Sequence, residues 1–146
     1  AGGSQGEIMA NYFEDLTKVF DVALMNFGTA NSIKVALENI DAPTSTSTPY
    51  LASYMLLADT LQADLGYSEE RAGIYQVDIN YSSTLGSTDI NKMADKLNAL
   101  FKAGVSFTRN AICAEVQSVS LGPLIVQNGW AKRPLSINFV AYTKRL

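Results

Sequence analysis

The strongest constraint on the fold is a run of alternating residues that is followed at once by a run with helical periodicity. In residues 73–81 one face is apolar and consists of Tyr75, Val77, Ile79 and Tyr81, whereas Gln76, Asp78 and Asn80 fall on the other face. This period of two is typical of a β-strand that buries one face. In residues 86–101 apolar side chains recur at helical spacing, and they are Ile90, Met93, Ala94, Leu97, Leu100 and Phe101. Because each element offers one apolar side, the two are predicted to pack on each other.

Another amphipathic helix is predicted near the start of the chain. Asn11 can cap it, and Glu14 follows three residues later, as in a capping box. The apolar stripe of this helix is continuous and consists of Phe13, Leu16, Val19, Phe20, Ala23, Leu24 and Phe27. Gly28 suits the left-handed residue with which many helices end, so the helix is predicted to end there.

Shorter runs predict the remaining strands. Alternating or strand-like patterns cover residues 33–37, 105–108, 112–119 and 135–143, with turns at Gly122-Pro123 and Asn128-Gly129. Residues 50–65 are ambiguous, because their apolar side chains fit either one helical face or one side of a strand. We favour a strand from Tyr50 to Leu57, followed by a turn or short helix up to Gly66.

The order of elements is helix, three strands, helix and three strands with short links, which favours an α+β fold over a doubly wound sheet. We expect a mainly antiparallel sheet with both helices packed on one face. One core is predicted to contain Phe20, Leu24, Val77, Ile79, Leu97 and Phe101. Residues 9–146 are expected to form a single domain. Residues 1–8 read as a linker and are expected to be a cloning remnant or a flexible arm.

The composition argues against catalysis and against a metal site. The chain contains no histidine, which removes the commonest general base and the commonest metal ligand. Its one cysteine, Cys113, lies in a strand-like run and reads as a small buried hydrophobe. The glycines form no phosphate loop, and the acidic residues lie in polar segments without the surroundings of a catalytic pair. We therefore expect no enzyme activity, no catalytic residues, no cofactor and no metal.

Charge and hydropathy exclude two further classes of partner. The net charge is −3, and the basic groupings are limited to Lys132-Arg133 and Lys144-Arg145. Affinity for DNA depends on clustered cations, so specific DNA binding is not expected. No apolar run approaches the roughly 20 residues that cross a bilayer, so no membrane association is expected.

Two stretches are candidate contact surfaces. Residues 41–49 place five Ser and Thr side chains, Thr44, Ser45, Thr46, Ser47 and Thr48, between two prolines, with Tyr50 next in the chain. Such a loop is either a tolerated surface excursion or a contact arm, and the residues leave both interpretations open. Trp130 follows a turn and precedes Lys132 and Arg133, a combination enriched at protein contacts. Ordinary packing is the alternative for Trp130, and it is the favoured interpretation of Tyr75 and Tyr81.

Five short stretches, taken together, resemble the tail terminator (tail completion) proteins of long-tailed bacteriophages. In chain order they read ENIDAP (38–43), PYL (49–51), RAGIYQVDI (71–79), ADKLNALF (94–101) and GPLIVQNGWAKRPLSINFVAY (122–142). The resemblance depends on the order and spacing of all five and covers about residues 33–142. One departure is Leu57-Ala58, where the family often has Leu-Pro.

The resemblance implies a structural virion protein without catalysis. Family members form a hexameric ring at the head-proximal end of the tail tube, where the ring stops tube polymerisation and provides the head–tail joining surface. The implied partners are further copies of the chain, the major tail tube protein and the head–tail connector protein, with DNA passing through the lumen without specific binding. The implied location is the virion tail, after assembly in the host cytoplasm. A small soluble binding module, or another neck or adaptor protein, is the alternative.

Overall fold

The computed structural model describes residues 12–37, 48–62, 68–83, 88–110 and 112–144. These residues form two helices and seven strands. In chain order the elements are α1 (Tyr12–Ala30), β1 (Lys34–Ala36), β2 (Tyr50–Gln62), β3 (Ser68–Ser82), α2 (Thr88–Leu100), β4 (Ser106–Arg109), β5 (Ile112–Leu121), β6 (Ile125–Gln127) and β7 (Trp130–Lys144).

The described strands make one sheet in the order β1-β2-β3-β7-β5-β4, with β6 paired to β7. All neighbours are antiparallel except β1 and β2, which are parallel. β5 and β6 run along the same edge of β7, and Gly122 bridges them by donating its N–H to the carbonyl of Pro134 at 2.7 Å. Asn128 and Gly129 both have positive φ, of 53° and 81°. They form the predicted two-residue hairpin turn into β7.

Both helices cover the same face of the sheet, and the core lies between them and it. The side chain of Phe20 on α1 stacks on Tyr75 of β3 at 4.9 Å between ring centroids and lies 4.7 Å from Phe139 of β7. On α2, Leu97 is fully buried in the same cluster. The six core residues predicted from the sequence all belong to this cluster. The α+β prediction, with two helices on one face of a mainly antiparallel sheet, is confirmed.

The predicted end of the first helix is wrong. The helix continues past Gly28 to Ala30, and Ser32 takes the left-handed conformation with a φ of 55°. Ile33 then donates its N–H to the carbonyl of Gly28 at 2.9 Å, which satisfies an end carbonyl of the helix. A Cβ at Gly28 would lie 2.6 Å from Cγ2 of Val35. Gly28 is therefore required by the close approach of β1 and not by a turn. The predicted cap, Asn11, lies outside the described residues.

Four strands, β2, β3, β5 and β7, are longer than predicted, because paired neighbours extend them. β2 does not end at Leu57 but continues to Gln62, with a register shift between Leu57 and Thr60, so the predicted turn or short helix after Leu57 is wrong for the residues up to Gln62. β3 begins at Ser68, and β6 was not predicted at all. Thr88 is the first residue of α2.

Shortening Leu97 to Ala is expected to destabilise the fold by about 2–5 kcal/mol, because this fully buried side chain would leave a cavity between α2 and the sheet. Urea unfolding monitored by circular dichroism measures the change. Lys96→Ala, at the exposed neighbouring position of the same helix, is the control and should change stability by less than about 0.5 kcal/mol. Equal small effects of the two substitutions would contradict the placement of Leu97 in the core.

Candidate interface

The structure describes five of the nine predicted contact residues and separates them into two groups. Thr44, Ser45, Thr46 and Ser47 lie outside the described residues. Thr48 is exposed just before β2 begins. Tyr50, Trp130 and Lys132 lie on the side of the sheet opposite the helices, which we call the outer face. Arg133, the next residue along β7, points to the helix side.

Tyr50 and Trp130 meet on the outer face although 80 positions separate them in the sequence. Their rings make an edge-to-face contact with 5.0 Å between centroids and 89° between planes. Sheet register produces this contact, because Tyr50 pairs with Asn80 and Asn80 pairs with Lys132, two residues after Trp130. A depression of about 150 Å³ opens beside the two rings. Its volume is below the roughly 300 Å³ at which small-molecule sites begin, so it suits a single side chain of a protein partner better than a cofactor.

A buried carboxylate lies beneath this aromatic pair. Asp78 is 4% exposed, and its Oδ2 lies 3.7 Å from Nζ of Lys132. Gln76 donates from Nε2 to Oδ1 of Asp78 at 2.9 Å, so the carboxylate is both paired and hydrogen-bonded. Asn80 donates to the backbone carbonyl of Asp78 at 3.1 Å. These contacts hold the Lys132 side chain along the outer face, close to Tyr50.

The Tyr50 hydroxyl stays neutral at physiological pH. Burial raises the pKa of Tyr50 above its ordinary value of 10.0, and nearby Tyr54 and Asp78 raise it further. The pKa of Tyr81, on the helix side of β3, is also raised, by burial and by Asp89. Tyr50 therefore contributes an uncharged hydroxyl and an aromatic face to the outer surface.

Arg133 has a different environment from Lys132. Its Nε donates to the carbonyl of Gly122 at 3.0 Å, and its Nη1 donates to Oδ1 of Asn91 on α2 at 2.9 Å. Arg133 thus links the segment between β5 and β6 to α2. The adjacent basic residues of the sequence lie on opposite faces, because successive side chains of a strand alternate.

Sequence reasoning did not identify the most exposed apolar surface of the described chain. Four apolar residues around β6 have exposed side chains, and they are Leu121, Leu124, Ile125 and Val126. The signal was present as the apolar run Leu124-Ile125-Val126 directly after Gly122-Pro123. An apolar run bounded by turns on both sides indicates a short strand. Pairing with another strand or contact with another protein would explain why such an exposed run is apolar.

Three observations concern metal ligands, the cysteine and helix hydropathy in the described part of the chain. Within them, no group of three or more His, Cys, Asp or Glu side chains is placed to hold a metal ion. Cys113 is a free, partly buried thiol in β5. Neither α1 nor α2 combines the length and the apolar character that a transmembrane helix requires.

Comparison with known proteins decides the family. The sequence profile of a phage tail terminator protein family matches residues 15–139, which include all of α2, most of α1 and most of the sheet. The chain belongs to this phage tail terminator family. No curated protein matches the chain. Among solved structures 11 chains match it, and one of them superimposes with a TM-score of 0.72 at 21% sequence identity, over 91% of this chain and 95% of the other. At that identity the likeness concerns the fold alone.

Membership in this family identifies the protein as a structural protein of the phage virion that is located in the tail. The family is a family of structural proteins and not of enzymes, and it implies association with other phage tail and head proteins. The resemblance noted in the sequence is thereby confirmed. The outer-face residues Tyr50, Trp130 and Lys132 are all within the matched range.

The Tyr50–Trp130 contact is expected to couple the two residues energetically. Edge-to-face aromatic pairs contribute about 0.5–1.5 kcal/mol to the free energy of unfolding beyond the effect of the area they bury. The double variant Tyr50→Leu, Trp130→Leu should therefore lose less stability than the two single variants lose in sum, and the difference should equal that contribution. Urea unfolding of the four proteins in this cycle measures the coupling. Trp130→Leu combined with Val22→Ala, on the exposed side of α1, is the control and should be additive. An additive Tyr50–Trp130 cycle would contradict a stabilising contact.

Proposed function

We propose that the protein forms a ring that caps the head-proximal end of the phage tail tube, ends tube polymerisation and provides the surface on which the head connector docks. The observation that carries the proposal is the family match over residues 15–139. Copies of the chain, the major tail tube protein and the head–tail connector are the proposed partners. A hexamer is the proposed number of copies.

The fold supports an assembling role. The described residues pack around one core, so a lumen for DNA would have to lie between copies and not within one. Neither of the two described helices lies on the outer face of the sheet, and the hairpin of β6 and β7 exposes large apolar side chains. Monomers rarely leave such surfaces uncovered, and exposed apolar patches usually mark contacts with other proteins. A working unit of several copies would cover them.

The aromatic pair and its neighbours are the proposed contact with the tail tube. Tyr50 and Trp130 contact each other edge to face, and aromatic side chains with few rotatable bonds lose little entropy on binding. Lys132 adds a partly exposed positive charge beside them. Thr48 adjoins this surface in sequence, so residues 44–48 are proposed to extend the same contact. Arg133 is proposed to act indirectly, by holding the hairpin to α2.

Tubes polymerised from the tail tube protein of the same phage are expected to exceed their normal length when this protein is absent. Adding the purified protein should stop growth and place a ring on one end only, because the two ends of a polar tube expose different surfaces. Negative-stain electron microscopy measures tube length and counts capped ends. A monomer that leaves tube length unchanged but gains thermal stability with a small ligand would instead favour the alternative of a soluble binding module.

The Ser/Thr-rich loop is expected to serve contact and not folding. Replacing residues 43–49 with a shorter Gly/Ser link should leave the melting temperature nearly unchanged, since Ser and Thr side chains bury little apolar area. The same variant should fail to arrest tube growth or to join heads. A Gly/Ser replacement of unchanged length is the matched control that separates reach from side-chain chemistry. An unfolded short-loop variant would show that the loop belongs to the scaffold.

A further inference from the structure

An apolar depression crosses the outer face at the end remote from Trp130. It has a volume of about 480 Å³ and is lined mainly by β2, β3 and β7, through Leu56, Ala72, Ile74, Asn138 and Val140. Leu56 is 51% exposed, more than any other large apolar side chain of β2 with a described environment. The helices pack on the opposite face, so neither of them covers this depression.

An exposed apolar edge lies at the other end of the same sheet. We call residues 121–127 the hairpin end, because they form the outer edge of the hairpin that Asn128 and Gly129 close. Val126 is 64% exposed, and Leu124 and Ile125 are 43% and 40% exposed. β6 pairs only with β7 among the described strands, so its other edge can still accept a neighbouring chain.

One copy cannot bring these two surfaces together. Val126 pairs with Ala131 at one end of β7, whereas the depression lies beside Val140. A strand rises roughly 3.4 Å per residue, so the two sites lie about 30 Å apart on one continuous ladder. Since β7 is paired with β3 along its whole length, it cannot fold back to close that distance.

The two surfaces are complementary in shape, polarity and charge. One is a shallow apolar concavity, and the other is an exposed apolar edge beside a tight turn. Ile125 at the hairpin end has Lys132 as its cross-strand neighbour, whereas Val140 at the depression has Glu115. The Lys132 side chain, which is paired with buried Asp78 but is still 38% exposed, therefore borders the apolar edge, and the carboxylate of Glu115 borders the concavity, which favours a contact between them.

We propose that the hairpin end of one copy docks in the outer-face depression of the next copy, so that the chain assembles head to tail. A contact between two different patches of the same chain is heterologous, and repeating it generates a closed ring when the rotation between copies divides a full turn. The proposal rests on the ring of the proposed function and names the two surfaces that build it. Ile125 of the hairpin end also lines the depression beside Tyr50 and Trp130, so the proposed contact between copies adjoins the proposed tube contact.

Cross-linking between copies tests the docking directly. In a Cys113→Ser background, Leu56→Cys marks the depression and Val126→Cys marks the hairpin end. The double variant, treated with a short bis-maleimide at micromolar concentration and on tube ends, should give a ladder of covalent oligomers in a denaturing gel. An equal mixture of the two single variants should stop at dimers, and each single variant alone should stay monomeric. Dimers from one single variant alone would overturn the head-to-tail contact, since they require the same patch on both copies.

A charge substitution supplies an independent readout. Val126→Asp should weaken assembly, because a carboxylate would be desolvated in the apolar depression. The protein concentration at which half of the copies are assembled should rise by about tenfold or more. Its melting temperature as a monomer should hardly change, because Val126 is exposed. Val22→Asp is the matched control on α1, where the valine is 45% exposed, and it should leave assembly unchanged. Unchanged assembly of Val126→Asp would overturn the proposal.

The outcomes separate this inference from the proposed function. If the wild-type protein caps tubes but the double-cysteine variant gives no ladder on those tubes, the proposed function stands and this docking is rejected. A ladder from a protein that never arrests tube growth keeps the docking and rejects the proposed function.

Discussion

The pairing of β3 with β7 is the interaction on which the rest of the structure depends. Its register runs without interruption from Ser68 opposite Lys144 to Ser82 opposite Trp130. This ladder is the sole strand pairing between the β1–β2–β3 half of the described sheet and the β7–β5–β4 half. It joins segments far apart in the sequence, so the loss of chain entropy on pairing must be offset by the core that both strands share, above all around Tyr75 and Phe139.

The two faces of the same ladder have different roles, since one forms the core and the other is available for contacts. On the helix side, Tyr75, Val77 and Ile79 pack under α1 and α2, and the Tyr75 hydroxyl donates to Oδ1 of Asp21 at 2.5 Å. On the outer face the intervening residues stay available for contacts. Because side chains alternate strictly along a strand, a register shift of one residue would exchange the two sets. The core therefore fixes the outer surface, and with it both the aromatic pair and the apolar depression.

Strong periodicity made much of the fold predictable. Both helices, the central strand, the Asn128-Gly129 turn and all six core residues follow from patterns within short windows. The errors arose where long-range contacts prevail. The helix continues through Gly28, where the missing Cβ lets Val35 of β1 pack close to the helix. β2 continues past Leu57 because β3 supplies hydrogen-bond partners. β6 escaped prediction because three residues carry too little pattern, and only its pairing with β7 makes it a strand.

The sequence by itself determined the fold class, the membership of the core and the resemblance to tail terminators, because side-chain period and short stretches of residues are local properties. It also nominated Tyr50, Trp130 and Lys132 as contact residues, but as unconnected positions. Only the tertiary structure decided that Tyr50 meets Trp130, that Arg133 turns toward α2, and that an apolar edge and an apolar depression lie at opposite ends of one ladder. Those relations depend on strand order and register, which are set by the packing of residues distant in the chain.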